Sequence, residues 1–104
     1  MAAYALFDNL SVSDPDGLAE YRSRVKPVVE RYGGRYRVVG GEWETIEGDH
    51  RLTFPVLIEF PDLETARAWY HSEEYRPLRE LRHRSATVNA VLLGTDESDA
   101  LLDE

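Results

Sequence analysis

The chain reads as an α+β domain of the ferredoxin-like kind: β-α-β-β-α-β, a four-stranded antiparallel sheet with both helices on one face. Three observations predict it. Four short apolar-rich runs are separated by two segments with apolar residues at steps of three and four. Both helical segments open on an Asp-Pro or Pro-Asp pair. A length of 104 residues allows one core only, so the two β-α-β crossovers must share a sheet.

The first strand is Ala3 to Val12, with Tyr4, Leu6, Asp8 and Leu10 on one side and Ala5, Phe7 and Asn9 on the other. Asp14 then supplies a side-chain acceptor for orphan amides, and Pro15 suits the first helical position. Leu18, Tyr21, Val25, Val28, Val29 and Tyr32 form one helical stripe, Pro27 is expected to bend the helix, and Gly33-Gly34 ends it. Arg35 to Gly40 and Trp43 to Glu47 read as one second strand, bent at Gly40-Gly41. Glu47-Gly48-Asp49-His50 is a turn, and the apolar run Pro55 to Phe60 is the third strand, placed at the sheet centre. Asp62 caps a second helix carrying Leu63, Ala66, Trp69 and Tyr70. That helix breaks near Ser72 and resumes at Pro77, running to about Arg84. Thr87 to Leu93 is the fourth strand. Residues 1–94 thus make the domain, and 95–104 an acidic tail too polar to need a core.

One sheet face remains uncovered, and in a chain this short its expected cover is a second copy, giving a homodimer through the sheet. The formal charge of -8 disfavours nucleic acid and anionic membrane surfaces as partners. The absence of cysteine removes disulfides, thiolate catalysis and Cys-based metal sites, and fits a reducing, cytoplasmic setting. The opening residues have no basic region ahead of an apolar run, so neither a signal peptide nor a membrane span is expected there.

The segments DPDGLAEYRSRVKPVVERYGGRYRVVGGEWETIEGD and PVLIEFPDLETARAWYHSEEYRPLRELRHRSAT, followed by VLLG, resemble the bacterial DUF1330 family over roughly residues 3 to 94. The marks are Tyr21 before Pro27, the Tyr32-Gly33-Gly34 helix end, Gly40-Gly41, Glu47-Gly48, Glu59-Phe60-Pro61, Ser72 with Tyr75, and Arg82. The resemblance implies a dimeric α/β barrel. That group includes cofactor-free antibiotic-biosynthesis monooxygenases, muconolactone isomerase-like enzymes, EthD-like proteins and chlorite-dismutase-like haem proteins. It implies no common activity.

Glu59 lies in the most apolar strand, where an ionised carboxylate must be paired or shifted in pKa, so it is a candidate proton carrier or else a structural partner of Arg35, Arg37 or Arg82. Asp8 reads as a strand-end residue reaching water at least as well as an interior one. His71 sits at the helix break and is the second candidate proton carrier, against the plainer reading of an exposed helix-end histidine. Tyr21, Trp43 and Tyr75 are candidate cavity walls. Arg82 offers a planar fork for a carboxylate or enolate, with a salt bridge to Glu59 or Glu80 as the alternative. No His or carboxylate spacing suits a metal, no glycine loop suits a nucleotide, and no cofactor is expected. The function read from these residues is a cofactor-independent enzyme or binder working by proton transfer on a compact aromatic or polyketide-like ligand. The alternative is a non-catalytic ligand-binding or assembly module.

Overall fold

A computed structural model describes residues 2–94. Within them the order is β1 (Ala3–Val12), α1 (Pro15–Arg31), β2 (Arg35–Val39), β3 (Pro55–Phe60), α2 (Leu63–Tyr70), α3 (Arg76–Ser85) and β4 (Ala86–Gly94). The tail beyond Gly94 lies outside the described residues. The sheet runs β2-β3-β1-β4 with every neighbouring pair antiparallel, so each crossover skips one strand and the β1 and β3 strands are central.

The helix starts follow from their caps. The Asp14 carboxylate accepts from the Gly17 amide at 3.1 Å and the Asp62 carboxylate accepts from the Thr65 amide at 2.7 Å, each satisfying an amide with no partner inside its helix. The α1 helix continues through Pro27 as one element and ends at Gly33, whose φ of 77° is open to glycine at no steric cost. Between α2 and α3 the Ser72 hydroxyl donates to the Trp69 carbonyl at 2.8 Å and accepts from the Tyr75 amide at 3.1 Å, closing one helix and opening the next.

Alternation along the strands divides the sheet into two faces. Ala3, Ala5, Phe7, Ile58 and Phe60 are buried beneath the helices, where they meet Val25, Val28, Val29, Ala66, Trp69, Tyr75 and Leu78. Trp69 anchors this layer: its ring lies 5.2 Å from Phe60, 6.0 Å from Phe7 and 4.3 Å from Tyr75, centroid to centroid. On the opposite face the register aligns Leu57, Leu6 and Val91 in one row and Glu59, Tyr4 and Leu93 in the next. Val91 and Leu93 are about half exposed, at 51% and 49%. This face has no cover within the described chain.

The second strand differs from the sequence expectation. It stops at Val39, and Trp43 to Glu47 is irregular and exposed rather than a continuation. β2 is an edge strand whose ladder stops with β3, the last bond being from the Gly40 amide to the Pro55 carbonyl at 2.7 Å, so Trp43 to Glu47 meets no strand to pair with. Asp8 also differs. It is 6% exposed, and its carboxylate accepts from the Thr53 amide at 2.9 Å and the Phe54 amide at 2.8 Å, tying the end of the long β2–β3 connection to the sheet.

Gly40 has a φ of 65°, and a Cβ there would collide with the Phe54 ring. A Cβ at Gly33 would press on the Pro61 ring at 2.9 Å, so strain and collision combine at both glycines. Gly33→Ala should lower stability by about 1 kcal/mol or more, and Gly40→Ala should cost more again because its Cβ meets a rigid aromatic ring more closely. Urea melts of the two variants check the order.

Candidate functional site

A cavity of about 320 Å³ opens between the sheet and α1. Phe7 and Asn9 of β1, Val56 and Ile58 of β3, and Tyr36 of β2 supply its floor. Leu18, Tyr21 and Val25 of the α1 stripe face them, and Arg82 enters from α3. Its size sits at the low end for small-molecule sites, and its wall is mainly apolar with a few polar groups.

Arg82 sets the electrostatics. It is 3% exposed, and among the described residues it forms no ion pair; its Nε has no hydrogen-bond partner. Its guanidinium rests 4.7 Å above the Phe7 ring and 6.0 Å from that of Tyr21, and Nη2 donates to His83 Nε2 across 3.4 Å. Stacking over two rings offsets part of the desolvation cost, but a buried cation without a counter-ion still carries most of it. Burial, then Arg82 and Arg79, hold the His83 imidazole below its usual range, which keeps it neutral and able to accept that bond.

Beside Arg82 the hydroxyls of Tyr21 and Tyr75 are 2.9 Å apart. Tyr75 is fully buried behind Tyr21, packed on Trp69, so Tyr21 presents the pair to the cavity. Burial pushes the Tyr21 phenol up to about 12, against the lowering effects of the Tyr75 bond and Arg82. Burial raises Tyr75 and Tyr36 as well. All three are neutral hydrogen-bond donors at physiological pH.

The structure thus brings Tyr21 of α1 together with Tyr75 and Arg82, the N-cap and a later residue of α3. It places the other three sequence candidates elsewhere. Glu59 is on the uncovered sheet face, where its carboxylate accepts from Arg37 Nε at 3.0 Å. Arg82 consequently meets neither Glu59 nor Glu80, which pairs with Arg76. His71 is exposed at the end of α2, edge-on to Tyr70, beside a separate depression formed with Phe7 and residues 90–92. Trp43 is in the exposed β2–β3 connection and does not line the cavity. Sequence reasoning missed Tyr36, Phe54, Arg22 and Lys26. The last two flank the Tyr21–Val25 stripe at i and i+4, a signal that was present but reads equally as a solvated helix edge.

Among the described residues no cluster of three or more His, Asp or Glu side chains could hold a metal ion, and no helix is long and apolar enough to cross a membrane. A four-stranded sheet with helices on one side and a cavity under the first helix defines a ferredoxin-like small-domain class. The chain belongs to the DUF1330 family, a domain of unknown function, which matches residues 2–95. No curated protein matches it significantly. Among solved structures it is similar to a protein of unknown function from Rhodopseudomonas palustris, with 19% identity, 90% of this chain and 82% of that one covered, and a TM-score of 0.68. It is similar also to a dimeric ferredoxin-like protein of unknown function from Jannaschia, at 14% identity, 91% and 100% coverage and a TM-score of 0.69. A cofactor-independent oxygenase from Streptomyces nogalater shares 13% identity over 90% of this chain and 91% of its own, with a TM-score of 0.61.

A phenol whose pKa is raised in the folded state favours folding below its unfolded value of 10.0, and that contribution is lost as pH rises toward the folded value. Stability should therefore fall as pH rises from 10 toward 12, and fall less steeply in Tyr21→Phe. Denaturant melts across that range check it, with absorbance titration following the phenolates.

Proposed function

We propose that the protein binds a compact aromatic or polyketide-like anion, or a molecule that becomes one, in the cavity under α1, and acts on it without a cofactor. The observation that carries this reading is the buried Arg82, which has no ion-pair partner among the described residues and stands at the cavity wall next to a neutral phenol donor. An enolate, phenolate or carboxylate oxygen there receives the charge of Arg82 and a hydrogen bond from Tyr21, which Tyr75 supports in turn. Stabilising that oxyanion lowers the pKa of the substrate's own C–H or O–H. The proton leaves to solvent through the open mouth and the electron pair stays on the substrate oxygen. Proton transfer is thereby assigned to the Tyr21–Arg82 site, and not to Glu59 or His71. The likeness to a cofactor-independent oxygenase is in keeping with such chemistry.

One observation favours a second reading, binding without catalysis: no Asp, Glu or His is among the cavity-lining residues described, so the wall offers no general base. Both readings need Arg82. Arg82→Met should leave the melting temperature unchanged or higher, because a buried unpaired charge is removed, while weakening binding of 2-hydroxy-1,4-naphthoquinone, an acidic two-ring enol, by roughly tenfold or more. Isothermal titration and thermal melts measure the two effects. A lower melting temperature with unchanged affinity would make Arg82 structural and end this proposal.

The uncovered sheet face supports a homodimer formed through it. Its rows of Leu57, Leu6 and Val91 and of Tyr4 and Leu93 would gain a dry cover, and a described relative of this fold is dimeric. Light scattering should give about twice 11.9 kDa, and Val91→Lys with Leu93→Lys should shift the population to monomer. A cytoplasmic setting fits a chain with no cysteine.

A further inference from the structure

Arg82 is not the cavity's only cation. Arg22 and Lys26 also line it, and no lining residue among those described is acidic. In a chain with 20 acidic and 12 basic residues, three cations around one cavity and no carboxylate is a marked local reversal of charge. Arg22 and Lys26 form no described ion pair, although Glu20 on the same helix pairs with Arg24 and Glu73, Glu74 and Glu80 pair with other arginines. Glu30 acts on Tyr36 but stays outside the wall.

The three cations occupy two levels. Arg82 is buried at the inner wall, on the Phe7 ring. Arg22 and Lys26 are exposed, one turn apart on α1, with the Arg22 guanidinium 5.4 Å above the Phe54 ring at the outer wall. Between the levels the wall consists of Phe7, Val25, Tyr36, Val56 and Ile58, which offer contact to a flat apolar body.

We propose that the ligand carries two acidic groups on one aromatic or conjugated frame, the first held by Arg82 and Tyr21 at the inner wall and the second by Arg22 and Lys26 at the mouth. This rests on the cavity being the ligand site, as argued above. The inner contact is the stronger because it is desolvated; the outer pair selects for the second charge and steers the dianion in. The preferred class is therefore an aromatic dicarboxylate, or an aromatic acid bearing a second acidic hydroxyl, over a neutral arene.

Three probes with one frame and two, one or no charges test this: benzene-1,4-dicarboxylate, its monomethyl ester and its dimethyl ester, titrated calorimetrically at low and at moderate salt. The dianion should bind about fivefold or more tighter than the monoanion, and the margin should shrink with salt. Arg22→Gln with Lys26→Gln, two exposed changes, should erase the margin while leaving monoester affinity within about twofold; circular dichroism checks the fold. If the monoester binds through Arg82 as tightly as the dianion, or the double variant keeps the margin, the two-charge proposal fails and the cavity reading survives. If none of the three probes binds, or binding ignores Arg82, both fail.

Discussion

The break between α2 and α3 is the constraint on which the site depends. Ser72 satisfies backbone groups on both sides of it, so the chain turns without leaving a buried amide orphaned. That turn drives Tyr75 fully into the core, against Trp69, with its hydroxyl reaching Tyr21 on the other helix. It also aims α3 so that Arg82, two turns on, lies over Phe7 of the central strand. A continuous helix would carry neither residue to that place. The same few contacts therefore close the core and build the cavity wall.

What distinguishes the cavity is a charge that the fold tolerates without neutralising. Exposed ion pairs such as Arg24 with Glu20 or Arg76 with Glu80 contribute little to stability. Arg82 is different because burial removes its water, and among the described residues no carboxylate replaces it. Stacking over Phe7 and Tyr21 and the bond to neutral His83 make its burial bearable while leaving its field directed at the cavity. The raised phenols beside it add donors without adding negative charge.

The two faces of the sheet have separate duties. The helix side holds the core and the cavity, whose mouth opens beside Val39, Phe54 and the edge of α1. The other side presents flat apolar rows interrupted by the Arg37–Glu59 pair. A partner seated on that side would leave the mouth open to solvent.

Local structure was legible from neighbouring residues: Asp14 and Asp62 as caps, Gly33 as a stop, Ser72 and Pro77 as a break and restart. Each acts through backbone groups within a few positions, so the sequence by itself determined them, and with them the order of elements and the ferredoxin-like class. Tyr21, Tyr75 and Arg82 were legible as candidates by residue type, but their meeting was not. Glu59 shows why: its apolar neighbours indicate a central strand, yet a strand presents alternate residues to opposite faces, and only packing decides which face the helices cover. The reading of Trp43 to Glu47 as strand ran past Val39 for a related reason, since pairing needs a partner strand that the local pattern does not contain. That no carboxylate of the described residues stands beside Arg82 was likewise a tertiary decision. It depends on where residues far apart in the chain come to rest, and no local spacing encodes that.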